Sequence, residues 1–503
     1  MVANWQAALV STQQDFPYIL PEVMLAFFGL ATLLTDFLLE EKQKSWNALT
    51  AMLGVLFSGV SLWLLHPVAS ELNLRFGGSI VIDHFFILFG FIFLAATALV
   101  ILLSARYMEI EGEHGGEYYA LMLFAVVGMM FLACGNDLVV LFIGLETMAL
   151  SFYVLTGYLR GNRRSNEAAM KYVLLGAFSS GVLAYGFSIL YGLSGPPGST
   201  NLQVIAMKVA QRPSYDLFVL LALVTVSTGL FFKIAAVPFH QWAPDIYEGA
   251  PTTITAFVSV ASTAASFALL LRLFLTVFWS VRHEWIPLVE AVAILSLTYG
   301  NIVAITQNNI KRLMAYSSIS HVGYILLGLV AAVNVNGSLN QRGLQAVMFY
   351  LMVYAFFNTG AFAVVILLRR KGIIGDDLED LNGLMQRNPG AAVLMLIFLL
   401  SLVGIPPTAG FLAKLMVLWA LIETGHTTLA VVGVAYILPA LYYYFRMVAN
   451  MWVREPADSV RPIVTLAQGF ALTVAVAVTL AAGIYPEPFL RLATHSLLFP
   501  FIH

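Results

Sequence analysis

Four ionisable side chains stand in the middle of long apolar runs. Glu146 lies in LVVLFIGLETMALSFYVL, Lys233 in TVSTGLFFKIAAVPF, His321 in AYSSISHVGY and Lys414 in IPPTAGFLAKLMVLWAL. A charge at the centre of a bilayer costs roughly 2.5–3.5 kcal/mol on insertion scales. Such residues persist where they pair or where they move charge. An acid and two amines in apolar surroundings suit proton transfer, because burial disfavours the charged form and an approaching counter-charge restores it. Plainer alternatives stand beside this reading. Glu146 could lock its helix to a neighbour. Lys233 and Lys414 could snorkel toward an interface, although each has apolar sequence on both sides. His321 is a packing residue or a proton relay, and Ser317, Ser318, Ser320 and Tyr324 form a polar streak around it. His240 follows Pro238 and is a cap on a broken helix or a relay. Lys171 and Glu167 are four apart, the spacing of an ion pair on one helix face. Glu22, Asp36 and Asp83 fall near helix ends and are expected to be positional.

These residues need a membrane scaffold. The chain has 503 residues, of which 60% are hydrophobic and 10% charged. A soluble domain carries about 25% charged residues, so a water-soluble fold is excluded. The single cysteine, Cys134, can form no internal disulfide and cannot by itself ligate an iron–sulfur cluster. No GxGxxG opens a helix after a strand, and no phosphate-binding glycine loop occurs. The chain itself is therefore expected to hold no nucleotide, redox cofactor or metal, and no nucleic-acid partner is expected. The first sixteen residues lack Lys and Arg and include Ser11-Thr12-Gln13-Gln14-Asp15. That is unlike a basic signal peptide, so the first helix is expected to stay.

Apolar runs of about 20 residues predict spanning helices. Fourteen are expected, at 17–39, 46–65, 82–105, 117–134, 137–157, 167–193, 215–240, 251–278, 284–306, 312–333, 343–369, 390–422, 427–452 and 463–483. No linker is long enough for a soluble domain, so residues 1–503 form a single all-α polytopic membrane domain. Two helices are interrupted: the seventh by Pro238, and the twelfth by Gly404, Pro406, Pro407 and Gly410. Proline removes a backbone donor and clashes with the preceding turn. The broken helices are five apart. Two inverted five-helix repeats, helices 4–8 (117–278) and 9–13 (284–452), would place them at matched positions, as in many transporters. Helices 1–3 (17–105) and helix 14 (463–483) flank the repeats. Loops after odd helices hold fourteen Lys or Arg, among them Lys42, Lys311, Arg370, Lys371 and Arg461, against six on the other side. The positive-inside rule then puts both termini outside, in the periplasm of a bacterium. Glu146, Lys233, His321 and Lys414 each fall near the centre of their runs, which suits charge communication along the membrane plane.

The stretches NDLVVLFIGLETMALSFYVLTGY, RSNEAAMKYVLLGAFSSG, FKIAAVPFHQWAPDIYEGAPTT, NNIKRLMAYSSISHVGY and GIPPTAGFLAKLMVL resemble the subunit N family of bacterial respiratory complex I, the NADH–quinone oxidoreductase. The resemblance covers essentially all fourteen helices. PDIYEGAPT looks like subunit N rather than its relatives L and M. The resemblance implies that Glu146 and Lys233 are a coupled pair, that Lys414 ends the proton route, and that His321 and Lys171 belong to the polar axis. It implies that NADH, FMN, the iron–sulfur clusters and quinone are held by partner subunits in a peripheral redox arm. It also implies membrane neighbours, notably subunit M and the small subunits K and J, in the bacterial inner membrane. The family commonly places a further lysine in helix 8. Here the segment is SVASTAASFALLLR, with Thr263 at that position. Threonine cannot hold a charge, so a link from Lys233 to Lys414 would need water, His321 or the Ser259–Ser262–Ser266 face. The expected function is proton translocation coupled to quinone reduction elsewhere in the complex. The alternatives are a stand-alone or Mrp-type cation/proton antiporter and a non-pumping structural subunit.

Overall fold

The computed structural model describes residues 13–40, 43–70, 73–113, 115–213, 215–369, 375–456 and 462–498. Lys42, Arg370, Lys371 and Arg461, counted above among the loop charges, lie outside the described residues. The chain is nearly all helix. In order, the apolar helices are α1 (Leu20–Leu38), α2 (Trp46–Leu65), α3 (His84–Glu111), α4 (Gly116–Cys134), α5 (Leu138–Thr156) and α6 (Arg163–Leu193). The seventh unit is split into α7a (Leu217–Lys233) and α7b (Trp242–Gly249). Then come α8 (Thr252–Thr276), α9 (Arg282–Thr306), α10 (Ile310–Val330) and α11 (Gln341–Leu368). The twelfth unit is split into α12a (Pro389–Val403) and α12b (Ala409–Glu423), followed by α13 (Thr427–Trp452) and α14 (Leu466–Ile484). A short amphipathic helix, α15 (Glu487–His495), closes the described chain. Two-residue strands, Leu74–Arg75 and Ile80–Val81, pair antiparallel between α2 and α3.

Among the described residues, twelve helices are long and apolar enough to cross a membrane. The other two of the fourteen expected spans are the split units, whose apolar halves Leu217–Lys233 and Pro389–Val403 are shorter. Both breaks begin earlier than the prolines. A proline clashes with the carbonyl four residues before it. For Pro238 that residue is Ile234, and α7a ends at Lys233. For Pro407 it is Val403, where α12a ends. The expected seventh helix, drawn through to 240, is therefore corrected: the stretch from Ile234 to Gln241 is a turn, with Ala235 at φ 55°.

Packing sets the centre of the molecule. α8 and α10 are wholly enclosed by other helices, whereas α1, α2 and α14 leave most of their surface open to the surroundings. α4 and α5 form a tight hairpin across Gly135-Asn136-Asp137, with Asp137 capping α5 by accepting from the Val139 amide at 2.8 Å. A Cβ on Gly128 would sit 2.5 Å from the Gly144 carbonyl, and one on Gly144 would sit 2.9 Å from the Gly128 carbonyl. Small residues let the two backbones touch, and Glu146 follows two positions later. α8 contains a π-helical turn at Val258–Ser262, immediately before Thr263. Single π-helical turns of this kind inside α-helices are frequent at functional sites.

Candidate proton-transfer site

Each break has to satisfy the backbone groups that its prolines free, because lipid cannot. At the first break, Trp242 Nε1 donates to the Phe232 carbonyl at 2.8 Å, and the Ala236 amide donates to Phe231 at 2.8 Å. The Val237 amide donates to Ser296 Oγ of α9 at 3.0 Å. Lys233 is the last residue of α7a and is buried. A cation is favoured at a helix C-terminus. Among the described residues Nζ makes no hydrogen bond and no ion pair within 4 Å, and the charge it faces is Glu146. Glu146 itself is half-buried on α5, and its enclosed Oε1 has no partner among the described residues.

An aromatic ladder joins these two helices. Tyr153, two turns after Glu146 on α5, packs edge-on against Tyr172 of α6, with centroids 4.8 Å apart. Tyr172 stacks on Trp242 at 5.0 Å, which anchors the first break. Tyr153 Oη, Ser180 Oγ and Ser227 Oγ are buried without partners in the same helix group. Buried polar atoms are nearly always hydrogen-bonded to protein or water, so this set favours hydration between α5, α6 and α7a.

The second break is organised by Lys414. Its Nζ donates to the carbonyls of Leu402 and Val403, both at 2.9 Å, where α12a ends. The lysine thus supplies two of the carbonyl partners that a helix C-terminus lacks, and its snorkelling alternative is overturned. Nζ also lies 4.7 Å from the centre of the Tyr324 ring, a cation–π contact. Tyr324 is one turn from His321 on α10. His321 Nδ1 is 2.6 Å from Tyr350 Oη, and the ring is enclosed by Tyr354 and Phe357. Three separate polar pairs surround it on α10: Tyr354 Oη donates to Ser318 Oγ at 3.1 Å, Asn301 Nδ2 donates to Ser320 Oγ at 2.8 Å, and Ser317 bonds Tyr444.

Between the two breaks lies Thr263, buried on α8 with no side-chain hydrogen bond to the described residues. Its neighbours are committed elsewhere. Ser259 Oγ donates to Ala256 and accepts from Asn358 Nδ2, and Ser266 Oγ donates to Ser262. His240, inside the first break, is buried against Tyr299, with ring centroids 4.4 Å apart and Nδ1 unpartnered among the described residues. Lys171 lies apart from the buried row. It binds Asp245 at 2.7 Å as well as Glu167 at 2.9 Å, and its side chain is 42% exposed. Asp245 in turn binds Arg312 at 2.8 Å, and Arg312 binds Glu248 at 3.0 Å. Together with Arg164 these residues line a charged vestibule of about 260 Å³.

Several charged residues escaped the sequence reading. Lys311 was counted as a loop charge, yet it is buried, 3.3 Å from Asp376 and 2.8 Å from the Ala250 carbonyl. Burial pushes the Asp376 carboxyl above the usual carboxylate range, against the opposing pull of Lys311. Asp83 was expected to be positional. It does cap α3, accepting from the Phe86 amide at 2.8 Å, but it also pairs with Arg272 of α8 at 3.1 Å. Glu22 is buried rather than merely terminal, with Cys134 Sγ 3.9 Å from one oxygen and the other oxygen unpartnered. The available signal was the intramembrane charge itself, since Arg272 stands inside an apolar run.

Comparison with known proteins decides the lineage. Residues 135–438 match the family described as NADH:quinone oxidoreductase/Mrp antiporter, transmembrane. The NADH-quinone oxidoreductase subunit N 2 of Solibacter usitatus is 56% identical over 97% of this chain and 99% of its own length. The chain belongs to the subunit N family of NADH-quinone oxidoreductases. A chain of respiratory complex I from Thermus thermophilus has the same fold, with TM-score 0.78 and 30% identity over 94% of this chain and 99% of that one. A chain of the Mrp complex from Dietzia shares the fold alone, at TM-score 0.77 and 23% identity. The chain is a multi-pass membrane subunit of complex I.

Proposed function

We propose that this chain is a proton-translocating membrane subunit of complex I, acting through Glu146, Lys233, His321 and Lys414. The observation that carries this reading is the pairing of each helix break with a buried lysine. Lys233 is held without a direct partner opposite Glu146, and Lys414 is held on the free carbonyls of α12a. When Glu146 moves away from Lys233, the ammonium loses its counter-charge and releases its proton. The proton passes by way of water at Thr263 and the His321–Tyr350 pair to Lys414, and leaves on the outer side. Lys171 and the vestibule around Asp245 and Arg312 feed the route from the inner side. His240 positions the first break.

NADH oxidation and quinone reduction, with FMN and iron–sulfur clusters, belong to partner subunits in the peripheral arm. Subunits M, K and J are the membrane neighbours in this reading, and the bias of loop charges supports both termini on the periplasmic side of a bacterial inner membrane. The two inverted five-helix repeats rest on the five-helix spacing of the breaks. The antiporter alternative keeps only the shared fold with the Mrp chain. The experiment is Lys414→Met in the assembled complex, with proton uptake measured per NADH oxidised in membrane vesicles. A lowered ratio with NADH oxidation retained is expected, and an unchanged ratio overturns the assignment. Lys414→Arg keeps a charged donor on Leu402 and Val403 and controls for the structural part.

A further inference from the structure

A crevice of about 650 Å³ lies between α2, α3, α11, α14 and α15, and none of its lining residues belongs to either helix break. Its volume is that of a small-molecule site, typically about 300–1,000 Å³. Its walls are apolar, with Ile87, Leu88, Ile92, Met352, Phe356 and Val478 among them. Its polar groups gather at one end, where His66, His84 and His495 meet beside Trp63. The His66 and His84 rings are 5.1 Å apart, and Trp63 stacks on His66 at 6.0 Å. Among the described residues no cluster is arranged to hold a metal. Along α3 the lining runs from His84 to Ala95, eleven residues or about 16 Å at 1.5 Å per residue. That matches one leaflet, half of a hydrocarbon core of about 30 Å.

The roof is built for an interface. α15 carries Phe489 and Leu492 into the crevice, and Leu492 is half-exposed. Gln345 at the start of α11 ties α15 down, donating from Nε2 to Thr494 Oγ1 at 2.6 Å and to the Leu490 carbonyl at 3.3 Å. An amphipathic helix of the kind that lies at a headgroup boundary, a tryptophan stacked beside the histidines and hydrogen-bond donors gathered at that end of an apolar crevice suit an amphiphile. It has a tail one leaflet long and an anionic, acceptor-rich head.

We propose that this crevice binds a phospholipid of the leaflet facing the α2–α3 connection, with one acyl chain along α3 and the phosphate on His66, His84 and His495. The lipid bridges the N-terminal helices to α11 and α14. The test uses the whole complex in vesicles that contain a phosphatidylglycerol bearing a photoreactive group at the end of one acyl chain. After illumination, label is expected on the α3 peptide around Ile92 and Ala95. Ala95→Trp, which fills the deep end, abolishes that label while NADH–quinone reductase activity shows that the complex is intact. Replacing all three histidines by alanine leaves the apolar walls and is expected to lower labelling about tenfold, by loss of the head contacts. Should Ala95→Trp disrupt assembly, the histidine variant alone decides. Unchanged labelling in either variant overturns the proposal. So does labelling of the peptide only by a photoreactive quinone, or its cross-linking to a neighbouring subunit in place of lipid.

Discussion

Arg272 and Asp83 form an ion pair between α8 and α3, 3.1 Å apart, with side chains only 4% and 5% exposed. Arg272 also donates to the Ala133 carbonyl at the end of α4 and lies over the Phe85 ring at 4.9 Å. One guanidinium therefore ties together the N-terminal helices and the enclosed helix that carries Thr263. Losing one partner of a buried pair costs about 3–5 kcal/mol, while replacing both by apolar residues is often close to neutral. Asp83→Leu or Arg272→Met alone is expected to lower the thermal stability of the complex markedly. The double variant should recover most of the loss, although the Ala133 carbonyl stays unpaired. Equal destabilisation in single and double variants would show that the pair is not the stabilising unit.

Tyr350 holds the His321 ring through its hydroxyl, 2.6 Å from Nδ1. That contact fixes which nitrogen is free to exchange a proton toward Lys414. Tyr350→Phe removes the hydroxyl and keeps the ring that encloses His321. An unpaired buried nitrogen costs about 1–3 kcal/mol, which a multi-helix core can absorb. Assembly and NADH oxidation are expected to persist, with fewer protons moved per NADH. Tyr354→Phe breaks only the bond to Ser318 and should have the smaller effect. The reverse ranking would remove Tyr350 from the route.

Thr263, where the sequence resemblance implies a lysine, lies beside a π-helical turn, and its hydroxyl is satisfied by no described residue. A buried hydroxyl in that state calls for water. Thr263→Ser keeps the hydroxyl and is expected to leave pumping intact. Thr263→Val keeps the shape, removes the water site and is expected to slow proton delivery, read as a lower proton-to-NADH ratio at unchanged complex yield. If serine and valine behave alike, water at Thr263 carries no part of the transfer.

The membrane fold was legible in the sequence because hydropathy, helix length and proline chemistry act locally. The limits of α2, α5 and α9 fall within two residues of those expected, and Pro238 and Pro407 announced both breaks. What local reasoning missed was the partner of each charge. Lys311 sits at the start of a helix in the sequence, and only the fold brings Asp376 from a distant loop to cover it. Lys171 has Glu167 at the right helical spacing, yet the shorter contact is to Asp245 from α7b. Lys414 was recognised as buried, but its two carbonyl partners depend on the angle between half-helices, which no spacing encodes.

Gly410 controls that angle. It is the second residue of α12b, and a Cβ there would lie 1.8 Å from the Ser401 carbonyl oxygen of α12a. The glycine amide also donates to Ser401 Oγ at 3.1 Å, so the half-helices meet backbone to backbone at this point. Because the obstacle is main chain, no rotamer change relieves it. Overpacking of this kind typically costs about 1–3 kcal/mol, and here it has a direction. Lys414 is four residues on and shares the helix face of Gly410, so separating the half-helices draws Nζ away from Leu402 and Val403. Gly410→Ala is therefore expected to lower the proton-to-NADH ratio as Lys414→Met does, with the lysine still present. Gly469→Ala on α14, where a Cβ meets nothing closer than Val464 at 3.8 Å, should leave the ratio unchanged. Normal pumping by Gly410→Ala would show that the seat of Lys414 on α12a is dispensable for proton release.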